Sequence, residues 1–197
     1  LGAWLGDDME KNEQEIEALL KLAKDGLVDV AAVGNEVMYR EEMSEEELIA
    51  YINRVKQEMP EIPVGYVDAY YEFSQRPNIT EACDVILTNC YPFWEGCHID
   101  YSFVYMKDMY NQAKDAANGK PVIITETGWP SEGGGFEASR AGRTNFLKYF
   151  IDAQIWSDEE DIPMFYFASF DESWKTGDEG DVGAYWGLWD KNEKLKF

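Results

Sequence analysis

The chain has 197 residues, 45% hydrophobic and 28% charged, and its 17 basic and 39 acidic side chains give a formal net charge of −22. So acidic a surface repels phosphate backbones and anionic lipid surfaces, which argues against nucleic acid and membranes as partners. It suits a neutral substrate, because a strong negative field excludes polyanions. The length predicts one domain over residues 1–197.

Short, nearly continuous apolar runs predict six strands buried on both faces, as in a parallel sheet. They lie, in chain order, at Leu1–Leu5, Val28–Val33, Ile62–Val67, Val85–Asn89, Pro121–Thr125 and Met164–Ala168. Amphipathic stretches between them predict four helices. These lie at Glu10–Asp25, Ser44–Met59, Tyr101–Asn118 and Ser139–Ile155. Ser44 and Glu47 form a capping-box pattern at the start of the second helix.

The alternation of strands and helices implies parallel strands joined by right-handed crossovers. This leaves an open doubly wound sheet or a closed eight-stranded barrel. The glycine-rich stretch 132–135 has neither the Lys-Ser/Thr of a P-loop nor the glycine spacing of a dinucleotide site, which weakens a nucleotide-binding function. In a barrel, the active site lies at the carboxyl ends of the strands.

Cys83, Cys90 and Cys97 are evenly spaced, but the chain has one histidine and no C-x-x-C pair, so we expect no metal site. Three cysteines cannot all pair, so buried thiols or one disulfide with a spare thiol are expected. His98 is predicted to be a partly buried polar residue without a catalytic part. The sequence has no apolar run of about 18 residues that could span a membrane.

Acids, amides or aromatic residues follow five successive predicted strands. The two most informative ends carry Asn35-Glu36 and Glu126, and the glutamates lie 90 positions apart. A barrel unit averages about 31 residues, so this separation is roughly three units and places the carboxylates nearly opposite each other across a barrel mouth. Two facing carboxylates flanked by aromatic rings are the arrangement that glycoside hydrolysis needs.

Three motifs, taken together and in order, resemble glycoside hydrolase family 17. They are Val33-Gly34-Asn35-Glu36, Thr125–Ser131 and Phe170–Lys175. Two further segments, Asn89–Gly96 and Gly180–Leu188, resemble the bacterial and fungal branch of that family more than its plant enzymes. The resemblance extends over essentially the whole chain.

The resemblance implies a (β/α)8 barrel and retaining hydrolysis or transfer on β-1,3-glucans, with no metal or organic cofactor. It implies that Glu36, on the fourth strand of the family's barrel, is the general acid/base and that Glu126, on the seventh, is the nucleophile. Asn35 would hold the sugar 2-hydroxyl, while Glu172 and Lys175 would bind sugar hydroxyls or tune the nucleophile. The residues implied to line the glycan cleft are Tyr91, Trp94, Trp129 and Trp174. An extracellular, cell-wall or periplasmic location is also implied.

The predicted strand count departs from the family pattern. Six units of about 31 residues need roughly 190 residues, whereas a complete barrel takes about 250. By motif order the six strands are the third to eighth, so the first two βα units are expected to be missing. An open barrel leaves Leu1–Leu5 and Met164–Ala168 with unpaired edges. We therefore expect a homo-oligomer, or an added N-terminal segment, to cover those edges.

Two other functions use the same cleft. A glucan-binding protein, with catalysis weakened by the missing units, predicts saturable binding of laminari-oligosaccharides without product. A β-1,3-glucanosyltransferase uses the same two carboxylates but excludes water as the acceptor. The substrate linkage, β-1,3 alone or mixed β-1,3/1,4, is set by the subsites rather than by these motifs. The products formed from laminarin distinguish the three functions.

Overall fold

A computed structural model describes residues 1–177 and 179–197, in which strands and helices alternate. The strands are β1 (Gly2–Ala3), β2 (Ala31–Asn35), β3 (Val64–Ala69), β4 (Val85–Asn89), β5 (Val122–Thr127) and β6 (Met164–Tyr166). They form a six-stranded sheet whose order is the chain order, and the recorded pairs are parallel. The α/β class and the six parallel strands predicted from the sequence are confirmed.

Six α-helices and one 3₁₀-helix accompany the strands in the described part of the chain. They are α1 (Met9–Lys24), α2 (Glu45–Glu58), α3 (Glu72–Gln75), α4 (Pro77–Ala82), α5 (Ile99–Ala116), α6 (Arg143–Glu159) and the 3₁₀-helix Gly180–Tyr185. The four predicted helices correspond to α1, α2, α5 and α6. The two short helices α3 and α4 were not predicted, because four and six residues are too few for an apolar periodicity to emerge.

The chain divides into two compact units by its internal contacts. The first comprises Leu1–Asn89 and Tyr110–Ile123, and the second comprises Cys90–Met109 and Ile124–Phe197. The first unit contains β1 to β4 with α1 to α4, and the second contains β6 and α6. Strand β5 contributes its first two residues to the first unit and the remainder to the second.

The helices of the first unit begin where the sequence provides caps. The side chain of Asp8 accepts hydrogen bonds from the first-turn amides of α1. Ser44 and Glu47 form the predicted capping box of α2, since each side chain bonds the other residue's backbone N–H. Both helices turn an apolar stripe inward, and Ile16 and Ile52 are completely buried.

Close strand contact in the first unit depends on glycine at one position of β3. Gly65 pairs with Val85 of β4, and a Cβ atom at Gly65 would collide with the Val85 carbonyl oxygen. No residue with a side chain fits there without moving the strands apart.

The core of the second unit is aromatic. Phe146 and Tyr149 of α6 are completely buried, and the Tyr149 hydroxyl lies 2.6 Å from Oγ1 of Thr127 at the end of β5. Ile151 of the same helix lies outside this core, because half of its side chain is exposed. Helix α6 begins at Arg143 rather than at Ser139, because the Ser139 hydroxyl instead closes a turn onto the backbone of Phe136.

Cys83, Cys90 and Cys97 are free thiols. The first two are buried, and burial raises the pKa of the Cys83 thiol to about 11. Along residues 1–177 and 179–197, each helix is too short or too polar to cross a bilayer. The same residues contain no group of three or more His, Cys, Asp or Glu side chains placed to hold a metal ion.

Candidate active site

The predicted site residues fall into two groups, one in each unit. Asn35 ends β2 and Glu36 follows it in the first unit, and the others belong to the second. Glu126 lies within an irregularity of β5, and Glu36 directly follows one in β2. Ala32 and Asn35 of β2 pair with Gly65 and Val67, and Ile124 and Thr127 of β5 pair with Met164 and Tyr166. Over each of these intervals, β2 or β5 advances by three residues while its partner strand advances by two, so one extra residue is accommodated. Such bulges redirect side chains at strand ends.

The backbone at Glu36 adopts a conformation that glutamate rarely takes. Its φ angle is 55°, in the left-handed region, directly after Gly34 at 82°. A side chain at Gly34 would also press on Val37, 3.0 Å away, so glycine is required there by both its dihedral angle and its surroundings. Left-handed backbone at a non-glycine residue costs about 1–3 kcal/mol and persists where surrounding contacts enforce it, commonly at functional sites.

Hydrogen bonds to the neighbouring strand hold the segment that contains Glu36. The Glu36 amide donates to the carbonyl of Val67 at 2.8 Å, and the Met38 amide donates to the Tyr66 hydroxyl at 2.9 Å. The Tyr39 amide lies 3.4 Å from Oδ2 of Asp68. The unusual conformation of Glu36 is thus fixed by β3 rather than by its own propensity.

The Glu36 carboxylate is positioned by an amide that was not predicted as a site residue. Nδ2 of Asn89, at the end of β4, donates to Oε1 of Glu36 at 3.0 Å and lies 3.4 Å from Oδ1 of Asn35. Asn89 is 3% exposed, so its orientation is set by packing. The only sequence signal for Asn89 was its place at the end of an apolar run, in the segment that resembles family 17.

Asp68 is a second residue that the site prediction missed. It is completely buried at the end of β3, where it accepts hydrogen bonds from the Tyr66 hydroxyl and, at 2.7 Å, from the Ala69 amide. Burial raises the pKa of Asp68 to about 6, and the negative charges of Glu72 and Glu36 raise it further against the effect of these donors. Burial also raises the pKa of Tyr66. Asp68 therefore helps to hold the segment that contains Glu36, through Tyr66 and the Tyr39 amide.

In the second unit, Glu126 and Tyr91 are brought together. The Tyr91 hydroxyl donates to Oε2 of Glu126 at 2.7 Å. The Tyr91 ring is held edge to face against Trp186 and Phe167, with centroid distances of 5.4 and 6.2 Å. A donor on a rigid ring can fix one carboxylate orientation and stabilise its negative charge.

Trp94 retains an accessible face. Its side chain is 36% exposed, and its ring packs against Phe93 at 5.1 Å and Trp186 at 5.7 Å. Trp174 is more open still, at 73% exposed. Both rings can therefore receive a ligand.

Trp129 does not line an accessible cleft, which corrects the prediction for this residue. Its side chain is 0% exposed. Its ring packs against Phe93 and Tyr149, and its indole N–H donates to the carbonyl of Arg140 at 2.8 Å. The apolar ring and its single donor are both satisfied inside the protein, so Trp129 supports Phe93 and, through it, Trp94.

Lys175 and Glu172 form an ion pair in the same unit. Nζ of Lys175 lies 3.5 Å from Glu172 and 3.4 Å from Glu179, and it sits 4.2 Å above the centre of the Phe167 ring. The ammonium group is thus held between two carboxylates over an aromatic face. Each of these side chains is about one quarter to one third exposed, which leaves polar atoms within reach of a ligand.

Comparison with known proteins shows similarity along the whole chain. Residues 1–187 match the model of the BtgE/BtgC glycoside hydrolase domain. A glucan 1,3-beta-glucosidase of Arthroderma benhamiae is 31% identical, over 100% of this chain and 70% of that protein. A probable glucan endo-1,3-beta-glucosidase, btgC, of Aspergillus fumigatus is 28% identical, over 100% of this chain and 32% of that protein.

Solved structures show the same similarity. The family 17 β-1,3-glucanosyltransferase of Rhizomucor miehei is 32% identical and superposes with a TM-score of 0.88, covering 98% of this chain and 71% of that one. An active-site mutant of that enzyme in complex with laminaritriose has a TM-score of 0.87. An endo-laminarinase from Formosa, at 19% identity and a TM-score of 0.82, shares the fold.

Proposed function

The chain belongs to glycoside hydrolase family 17, through its BtgE/BtgC-type domain, and we propose that this glycosidase acts on β-1,3-glucan by a retaining double displacement. Glu126 is the nucleophile and Glu36 is the general acid/base. The proposal is supported chiefly by the hydrogen bond from Tyr91 to Glu126, which gives that carboxylate the fixed orientation and charge stabilisation that a nucleophile requires.

Glu126 attacks the anomeric carbon and forms a glycosyl–enzyme ester, while the glycosidic oxygen leaves. This step needs an ionised carboxylate aimed at one carbon atom. The Tyr91 phenol stabilises the ionised form and restricts its rotation, because Tyr91 is itself held by Trp186 and Phe167. Misplacement of reacting atoms by about 1 Å can cost about a hundredfold in rate, so this restriction contributes directly to catalysis.

Glu36 donates a proton to the departing oxygen and then takes one from the acceptor that attacks the ester. Its position after the β2 bulge, and the hydrogen bond from Asn89, suit a carboxyl group that must reach an oxygen atom in two successive steps. Asn35 precedes it and is the candidate partner for the sugar 2-hydroxyl. That hydroxyl lies beside the reacting carbon, where a hydrogen bond strengthens in the transition state.

The glucan cleft is proposed to include the accessible aromatic residues of the second unit. Trp94 and Trp174 present rings to the apolar faces of glucosyl residues, and Tyr91, the hydrogen-bond donor to Glu126, packs against the same Trp186 ring as Trp94. The Glu172–Lys175 pair offers one acceptor group and one donor group to sugar hydroxyls. A neutral substrate agrees with the net charge of −22.

The six strands are proposed to be the third to eighth of a (β/α)8 barrel. The order of the two glutamate motifs supports this, as does the match to 71% of the R. miehei chain. The location outside the cell membrane, which the family resemblance implies, stays a prediction.

Transfer to a second sugar is the alternative outcome of the same chemistry. It is favoured by the similarity to the R. miehei enzyme, a β-1,3-glucanosyltransferase that is 32% identical to this chain. Both reactions share the glycosyl–enzyme ester and differ only in whether water or a sugar hydroxyl attacks it.

Incubation with laminari-oligosaccharides tests the proposal. Shorter products indicate hydrolysis, and products longer than the substrate indicate transfer. Where water is the acceptor, proton NMR of the newly formed reducing end should first show the β-anomer, since double displacement retains configuration. The matched Glu126→Gln protein should form no product. An initial α-anomer would overturn the retaining mechanism, and saturable binding without product would identify a glucan-binding protein.

A further inference from the structure

Trp4 is a large aromatic residue exposed beside the end of β2. It directly follows β1, in which Ala3 pairs with Val33, so the continued register sets Trp4 opposite Gly34, the residue before Asn35 and Glu36. Its side chain is 58% exposed. An exposed indole at the carboxyl edge of a parallel sheet, beside a candidate catalytic residue, is a candidate binding surface.

Arg40 braces the Trp4 ring. The guanidinium carbon lies 4.8 Å from the ring centroid, within range for a cation–π contact. The same guanidinium donates to the carbonyls of Asn35 and Leu5, at 2.6 and 3.2 Å, and to the Glu42 carboxylate at 2.6 Å. Hydrogen bonds thus hold Arg40 at the end of β2 and just beyond the end of β1, so the guanidinium that packs against the indole is itself fixed in place.

The backbone of Trp4 is anchored as well. Its amide donates to Oε2 of Glu15 on α1 at 3.1 Å. Arg40 therefore contacts one face of the Trp4 ring, and Glu15 holds the Trp4 backbone. More than half of the side chain's surface stays accessible. A preformed flat apolar surface loses little conformational freedom on binding, which favours affinity.

We propose that Trp4, braced by Arg40, is a glucosyl-binding subsite beyond the sugar that meets Glu36. The flat indole suits the C–H face of a glucopyranose ring, and the fastening of Arg40 to the Asn35 carbonyl ties the position of this platform to the catalytic strand end. This inference rests on the proposed function and places a glucosyl-binding residue beside Glu36 within the first unit.

The length dependence of the reaction tests the subsite. We would measure kcat/KM for laminari-oligosaccharides of three to seven glucosyl units with the unaltered protein, Trp4→Ala and Trp4→Phe. Trp4→Ala should lose about tenfold at the lengths that reach the platform and leave shorter substrates unchanged. Trp4→Phe, which keeps a smaller flat ring, should lose less. Tyr101→Ala removes another exposed aromatic residue, 70% accessible on α5, and should change nothing.

The outcomes separate this inference from the proposed function. If the unaltered protein consumes oligosaccharides and Trp4→Ala has the same length dependence, the subsite is overturned while the proposed function stands. A loss that is equal at every length, in both Trp4 variants, would show that Trp4 acts by holding Arg40 and Glu36, and would also overturn the subsite. If the unaltered protein consumes no oligosaccharide of any length, the proposed function itself fails.

Discussion

The hydroxyl of Tyr91 donates a hydrogen bond of 2.7 Å to Oε2 of Glu126, a residue 35 positions later in the chain. The Tyr91 ring is wedged edge to face against Trp186, so the donor cannot turn away without disturbing an aromatic cluster. The carboxylate at the end of β5 is therefore oriented by a neighbouring chain segment. This is the interaction on which the assignment of Glu126 as nucleophile most depends.

Replacing Tyr91 with Phe should lower kcat/KM by about 10- to 100-fold. The change removes one hydrogen bond to a charged group, worth about 1.5–3 kcal/mol, and keeps the ring packing. Thermal unfolding should be nearly unchanged, since Tyr91 is only half-buried. Steady-state kinetics on laminarin, with Tyr101→Phe as the control, provide the measurement. An unchanged kcat/KM in Tyr91→Phe would show that this hydrogen bond has no part in catalysis.

Chemical rescue should separate the roles of the two glutamates. Glu126→Ala should lose the covalent step altogether. Glu36→Ala should still be glycosylated by substrates with good leaving groups, because protonation of the leaving oxygen then matters less. Added azide should attack the ester in Glu36→Ala and release a β-glycosyl azide, identified by NMR. If azide instead rescues Glu126→Ala with the same β-product, the roles are reversed.

Ionisation of the buried Asp68 carboxyl should lower the free energy of unfolding as pH rises through the weakly acidic range. Its folded pKa of about 6 lies above the ordinary value of 3.8, so the folded state holds this proton more tightly than the unfolded state. The stabilisation is fully present below about pH 4 and is lost as pH rises to about 6, a change on the order of 3 kcal/mol.

Urea unfolding of the unaltered protein and Asp68→Asn at pH 4 and pH 7 measures this effect. The amide cannot ionise; its single oxygen can still accept the hydrogen bond from the Ala69 amide, while its NH2 group faces the Tyr66 hydroxyl. Relative to Asp68→Asn, the unaltered protein should therefore lose free energy of unfolding between the two pH values, whatever the other acidic residues do. Parallel pH dependence of the two proteins would contradict the raised pKa of Asp68.

The first and last strands of the sheet order should promote self-association. These are β1 and β6, and exposed apolar side chains accompany them: Leu1, directly before β1, is 55% accessible, and Phe165 of β6 is 65% accessible. Edges of this kind pair readily with another chain. Light scattering at micromolar concentration should show an oligomer. A stable monomer with full activity on laminarin would show that these edges need no cover.

The sequence by itself determined the alternation of strands and helices, because these elements arise from local apolar periodicity and caps such as Ser44 with Glu47. It also led to the prediction of Glu36 and Glu126 as the catalytic pair, since each follows an apolar run within a motif of family 17. The boundaries were less well determined. β1 is two residues long rather than five, because parallel pairing, and not apolar character alone, decides where a strand begins and ends.

Only the tertiary structure decided which side chains surround those glutamates. Asn89 contacts Glu36 across 53 residues of sequence, and the pKa of Asp68 depends on burial among strands that no local pattern describes. Trp129 lies in the same motif as Glu126, yet it is buried, because α6 and Phe93 close over its ring. A local sequence pattern specifies that a residue follows a strand. Whether its side chain meets solvent, a carboxylate or another ring is set by packing against distant segments.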